Sequence, residues 1–203
     1  MALLPFVMEV NHYSIIMKNF FLFTQDKIER QWFKYPCVDA NSKFLSGKKV
    51  CVFGNAELID TAFLSDLGAE VLINPDNKST SFSNIGIVLP PYITQNGEML
   101  YFEILDYYIQ SLKLLIHKQK SVQGYKHIVV CLPSYANRVS VEYDKLAYYA
   151  IYGMVRGLGA KYAQNGLFIN GIMTSEFKKG AIDYIRLLAS DNSCNIVGQV
   201  FQV

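Results

Sequence analysis

From Lys48 onward, short apolar runs alternate with longer stretches whose apolar residues recur at helical spacing. This alternation restricts the fold more than any other feature of the chain. The runs KKVCVFG, GAEVLI, IGIVLPP, KHIVVCLP, GLFINGI and GQVFQV are short and mostly apolar, as strands buried on both faces must be. Between them lie AELIDTAFLSDLG, which ends at the helix-stopping Gly68, then residues 98–120, residues 143–163 and AIDYIRLLAS. Residues 98–120 place Leu100, Ile104, Tyr108, Leu112 and Leu115 on one helical stripe. Strands alternating with helices predict a doubly wound α/β domain, a parallel sheet covered on both sides. A chain of 203 residues has room for one such domain around one continuous core.

Residues 1–46 are the least regular part, and they are expected to pack on the domain at 47–203 or on a partner. Residues 14–33 mix apolar and charged positions in a helix-compatible way, and the loop-like YPCVDANSKFLSG follows. The opening MALLPFVMEVNHYSIIMKNFFLF is apolar but broken by Glu9, His12 and Lys18. It fits neither a signal peptide nor a membrane span of about 20 residues. A soluble, cytoplasmic protein is therefore expected.

The net charge is +2 with Lys and Arg scattered, so no basic stripe points to nucleic acid. Cys37, Cys51, Cys131 and Cys194 form no CxxC pair. Cys51 and Cys131 lie within strand-like runs, where thiols act as small hydrophobes in a reducing compartment. His12, His117 and His127 have no ligand spacing, so no metal site is expected. Aromatic residues make up 14% of a chain that is only 18% charged, leaving aromatic surface for a partner to cover.

Three segments together resemble the short-chain dehydrogenase/reductase family, especially its β-ketoacyl-acyl-carrier-protein reductase branch, over residues 48–203. They are GMVRGLGAKYAQNGLFINGI at 153–172, LLASDNSCNIVGQVFQV at 187–203, and KKVCVFGN followed by LGAEVLI. The resemblance implies a Rossmann-like sheet and an NAD or NADP cofactor held by a T-G-x-x-x-G-x-G loop. It also implies a catalytic Tyr-x-x-x-Lys pair and two long helices that pair across a two-fold axis.

The functional positions depart from that pattern. In FGNAELIDTAF only Gly54 survives of the three loop glycines that let a backbone approach pyrophosphate. Gly54, Asn55 and Asn74 are vestiges of a cofactor site, and Asn74 or Asp76 could hold a ribose hydroxyl. Only residues 74–84 separate two core strands, so the family's third strand and its helix are missing. Leu89-Pro90-Pro91-Tyr92 replaces a cofactor-lining N-N-A-G, and no asparagine occurs between Gly97 and Ala136 to match a catalytic one. MTSEFKKG is too short to build the substrate lid.

Fixing the register on Gly153 puts Asp144 at the family's acid/base tyrosine and Tyr148 at its lysine. An ionised aspartate and an uncharged phenol cannot reproduce a tyrosine acid tuned by a neighbouring ammonium. Ser134, Tyr143 and Lys145 remain as weak catalytic candidates. The expected protein is thus a non-catalytic reductase-like subunit without cofactor, in a homodimer or in a heteromer with an active reductase. The resemblance would place it in fatty-acid or polyketide-type synthesis. Its interface would use Tyr101, Leu105, Tyr108 and Ile109 on the first long helix, and Tyr149, Gly153 and Gly157 on the second. The alternatives are a divergent NAD(P)-dependent reductase using Ser134, Tyr143 and Lys145, and a small-ligand module using the cleft at the strand ends.

Overall fold

A strand buried on both faces needs a neighbour on each side, and β1 (Lys49–Phe53) has two. Val50 lies opposite Val71 of β2 (Glu70–Ile73) and opposite Ile85 of β3 (Ile85–Val88), both parallel to it. β4 (Lys126–Pro133), β5 (Leu167–Thr174) and β6 (Val200–Gln202) complete an all-parallel sheet of order β2-β1-β3-β4-β5-β6. The computed structural model describes residues 43, 45–75, 83–91, 101–120, 122–133, 142–174, 177 and 179–203; the side chains of residues 101, 142–147 and 179 fall outside that description. The expectations for residues 1–42 therefore lie outside the described residues.

The period-2 geometry of the strands divides the core into two layers. Val50, Val52, Ile85, Ile87, Val129 and Cys131 meet Phe63 and Leu64 of α1 (Ala62–Asp66), and Ile185 and Leu188 of α4 (Lys179–Leu188). Cys51, Phe53, Val88, Ile128, Val130 and Leu132 instead meet Ile104, Leu112 and Leu115 of α2 (Tyr101–Gln119), and Ile151 and Val155 of α3 (Glu142–Tyr162). Helices on both faces give the doubly wound, Rossmann-like α/β fold. Burial raises the thiol pKa of Cys51 and of Cys131, consistent with their core positions.

The fold is also truncated as the sequence implied. Eleven residues connect Ile73 to Ile85 on the two sides of β1, leaving no length for a further strand and helix. Residues 175–178 alone join β5 to α4, so a lid has nowhere to be built. No described helix is long and apolar enough to cross a membrane.

Two expectations need correction. The segment after β1 is not one helix. Asn55 Oδ1 accepts from Glu57 N–H at 3.1 Å and opens a 3-10 turn, Ala56–Leu58, after which Ile59 is extended. Asp60 Oδ1 then accepts from Ala62 N–H at 2.9 Å and starts α1, which lasts five residues. Each polar side chain gives a backbone amide a local partner and so interrupts the helix. The second correction concerns Tyr108, predicted on the interface. It is fully buried, donates its hydroxyl to the Cys131 carbonyl at 2.8 Å, and packs edge-on against Tyr148. Tyr108 belongs to the core stripe of α2 and cannot face a partner.

Candidate functional site

In an open parallel sheet, ligands bind outside the strand C-termini where the strand order reverses direction. Here that point is the end of β1, because β2 lies to one side of it and β3 to the other. The crevice floor is Gly54-Asn55 from β1 and Leu89-Pro90-Pro91 from β3. Gly54 has φ +99°, a conformation that other residues adopt only under strain. A Cβ at this position would lie 2.5 Å from the Leu89 carbonyl oxygen, 2.7 Å from that of Pro90 and 2.6 Å from the Tyr107 hydroxyl. The space directly over the turn is already filled by the protein.

The backbone groups of the turn are occupied as well. Gly54 N–H donates to Asn74 Oδ1 at 2.8 Å, and Asn74 Nδ2 donates back to the Gly54 carbonyl at 3.0 Å. Asn74 reaches this position from the end of β2 with φ +43°, in the left-handed region that asparagine tolerates. Asn55 N–H goes to the Pro90 carbonyl at 2.9 Å, and Tyr107 donates its hydroxyl to the Leu89 carbonyl at 3.2 Å. A bound pyrophosphate needs free amides and a helix N-terminus. Here Gly54, Asn55 and Glu57 have spent their amides internally, and α1, which follows this turn, has only five residues and its Ala62 amide already bonded to Asp60 Oδ1. Burial pushes the Tyr107 phenol up to about 12, the Ser111 hydrogen bond opposing this only in part, so Tyr107 stays a neutral plug.

The catalytic positions fare similarly. Tyr148, at the register position of the family's lysine, is 3% exposed, and burial raises its pKa to about 12. It faces Tyr108 in the core and holds no charge. Tyr143, Asp144 and Lys145 belong to the first turn of α3, but their side chains lie outside the described residues, as do Ser134 and Asp76 altogether. The structure does bring Gly54, Asn55 and Asn74 together as the sequence suggested. It adds Tyr107 and the Pro90 carbonyl, which sequence reasoning missed. Tyr107 stands beside the core stripe of α2, and nothing local in the sequence distinguishes it from another packing residue.

These elements and their order settle the comparison with known proteins. The short-chain dehydrogenase/reductase from Serratia marcescens superposes with a TM-score of 0.61 at 15% identity, covering 78% of this chain and 96% of that one. BdcA in complex with NADPH gives 0.54 at 14% identity, covering 79% and 94%, and BdcA from E. coli gives 0.52 at 13%, covering 78% and 97%. The fold is that of the short-chain dehydrogenase/reductases. At 13–15% identity this likeness speaks for the fold and singles out no branch of the family. No family model matches the sequence, and no curated protein matches it.

In this version of the dehydrogenase/reductase fold, α2 and α3 lie side by side over one sheet face, and their outer sides form one surface. Gly153 and Gly157 are exposed, and a Cβ at either would meet nothing within 4 Å. They therefore do not ease packing on the sheet. Gly159 does that: its Cβ would lie 2.5 Å from the Cα of Gly198 in the loop before β6. Tyr149 is 67% exposed beside Gly153, while Leu105 and Ile109 are half-buried. The side chain of Tyr101 is outside the description.

A second polar cluster sits at the opposite, N-terminal edge of the sheet. His127 is fully buried on β4, with Nδ1 3.4 Å from Ser193 Oγ and Nε2 3.5 Å from Asp191 Oδ1, the latter without hydrogen-bond geometry. Lys48 Nζ donates to the same Asp191 oxygen at 2.7 Å. Serine, histidine and aspartate adjoin here, yet this is no nucleophilic triad. Ser193 Oγ is buried, and its single proton goes to the carbonyls of Ser190 at 2.8 Å or Leu188 at 3.0 Å, so it has no access to substrate. Among the described residues, no group of three metal-ligating side chains occurs.

Proposed function

We propose that this chain is a non-catalytic protein on a short-chain dehydrogenase/reductase fold, acting by docking another protein against the outer face of α2 and α3. The partner is a second copy or an active reductase, and acyl-chain reduction is the pathway that the sequence resemblance favours. The observation that carries the proposal is the Gly54–Asn74 clasp, in which one side chain takes both backbone groups of the turn that would grip a dinucleotide. Tyr107 and the Pro90 carbonyl cover what is left. A buried neutral phenol at position 148 supplies none of the charge a reductase needs to tune its proton donor.

Calorimetric titration of the full chain with NADPH and with NADH tests this. No heat of binding is expected for either nucleotide up to about 1 mM, a limit that corresponds to a binding free energy of roughly −4 kcal/mol. A micromolar dissociation constant would restore the divergent-reductase alternative with Ser134, Tyr143 and Lys145.

The exposed glycines provide a second test. A glycine inside a helix costs about 0.5–1 kcal/mol relative to alanine, and inside this chain Gly153 and Gly157 gain no close contact in return. Gly153→Ala and Gly157→Ala are each expected to stabilise the isolated chain by about that amount in urea unfolding. If a partner backbone approaches these positions, the same substitutions will weaken association. Stabilised folding with unchanged association would remove the glycines from the interface.

A further inference from the structure

We infer that two copies of this chain join through the free edge of β2, independently of what docks on α2 and α3. Each β2 pairs antiparallel with its counterpart across a two-fold axis at Leu72. β2 is the outermost strand of the sheet, and among the described residues no strand pairs with its outer edge. Glu70 N–H goes to the Lys48 carbonyl at 3.0 Å and Asn74 N–H to the Val52 carbonyl at 2.7 Å. Alternation along the strand turns the backbone groups of Leu72 to β1 as well, and directs those of Val71 and Ile73 outward. Sheet edges are commonly guarded by a lysine or a proline. The strand Glu-Val-Leu-Ile carries neither, and its one charge, Glu70, already faces Lys49 at 3.3 Å.

The same edge on another copy is the matching surface, and the backbone decides its register. With Leu72 opposite Leu72, Val71 of one copy and Ile73 of the other exchange both backbone bonds, and the two-fold axis repeats the exchange. Every outward amide and carbonyl of Val71 and Ile73 then has a partner. Centring the pair on Val71 would set Ile73 against Ala69, whose N–H is already given to the Leu64 carbonyl at 3.1 Å. Centring it on Ile73 would set Val71 against Pro75, which has no N–H. The Leu72 register also places Glu70 opposite Asn74 rather than another carboxylate. On one face Ile73, 50% exposed in the single chain, meets Val71 of the other copy, which packs on the Val50–Ile85 layer. On the other face the two Leu72 side chains meet at the axis, beside the layer under α2 and α3. An isologous contact of this kind closes at two copies instead of growing into a fibre.

Ile73→Pro and Leu72→Cys test this on the full chain. An outward N–H at a sheet edge serves no bond within the chain, so I73P should fold, as circular dichroism will verify. Sedimentation of the unmodified chain at about 50 μM should show a particle of at least twice the 23.1 kDa chain mass, and I73P should halve that mass.

The cysteine reads the register. Residues directly opposed without mutual hydrogen bonds have Cα atoms about 4.5 Å apart, within the roughly 4.4–6.8 Å that a disulfide spans. Under mild copper–phenanthroline oxidation, L72C should yield at least about five times the disulfide-linked dimer given by the unmodified chain with its own four cysteines. V71C, which faces Ile73 and not itself, should stay at that background. A monomeric unmodified chain would overturn the inference, as would an I73P variant of unchanged mass, L72C at background, or V71C linking as readily as L72C. Docking on α2 and α3 is scored apart: an assembly that survives I73P and leaves L72C unlinked overturns the β2 pairing and leaves that docking standing.

Discussion

Gly54→Ala is expected to destabilise the fold by roughly 4 kcal/mol, measured as the loss of unfolding free energy in urea. Two costs add. At φ +99° an alanine pays backbone strain of about 1–3 kcal/mol. Its methyl would also lie 2.5 and 2.7 Å from two carbonyl oxygens, and forcing such contacts into a packed site costs about 1–3 kcal/mol more. Neither carbonyl can yield cheaply. Leu89 N–H is bonded to the Phe53 carbonyl at 2.8 Å, and Leu89, Pro90 and Pro91 are all buried. Against a total stability of about 5–15 kcal/mol for a domain, the loss is severe.

The double variant Gly54→Ala/Tyr107→Phe separates the two sources of crowding. It removes the hydroxyl at 2.6 Å but neither carbonyl, so little stability should return. Full recovery would mean that only a movable side chain covers the turn. Near-normal stability of the single variant would mean that Leu89 and Pro90 lift easily from Gly54. Either result would leave the crevice open to a ligand and weaken the case for a non-catalytic protein.

The sheet was legible because its signal is local. Buried parallel strands must be apolar over four to eight residues, and each of the six runs that met this condition became a strand. The missing third strand could be counted from the eleven residues between Ile73 and Ile85. What closes the crevice is not local. Asn74 lies 20 residues from Gly54, and in sequence it carries only the turn signal of an Asn-Pro pair. Its second role appears only once β2 is laid beside β1. Tyr107 and Tyr108 are adjacent aromatic residues on one helix, and spacing alone put Tyr108 on both the core stripe and the interface. The two turn in different directions: one hydroxyl reaches Cys131 inside the core, and the other reaches Leu89 in the crevice. The helix after β1 misled for a related reason. Its apolar spacing is helical, but Asn55 and Asp60 offer backbone amides nearer partners than the helix does.

The opposite edge of the sheet should reveal itself through acid. Between pH 6.5 and 4 the domain is expected to lose roughly 3 kcal/mol of stability through His127 alone. Burial lowers the pKa of this imidazole from 6.5 to about 4, Lys48 contributes in the same direction, and Asp191 opposes them in part. In the unfolded chain the ring takes a proton near pH 6.5, whereas the folded chain refuses one until about pH 4. Below pH 6.5 the unfolded state therefore binds more protons, and each step down in pH favours it. The contribution is complete above pH 6.5, and none remains to be lost below about pH 4. Asp191 acts lower on the scale. Its own desolvation would raise its pKa, but the Lys48 hydrogen bond and charge outweigh this and depress it, so its contribution is present at neutral pH and is lost as acid protonates it. Urea unfolding from pH 7.5 to 4.5 reads the His127 window with little interference from Asp191. His127→Gln should flatten the slope across that window, because the amide does not titrate. A wild-type slope that survives the substitution would place the acid sensitivity elsewhere. A slope abolished by it ties the start of β4 to the Asp191–Ser193 turn through an imidazole that must stay neutral. That requirement explains a Ser-His-Asp grouping here without any catalytic duty: the ring fills the gap among Phe168, Ser193 and Asp191 as an uncharged packing piece.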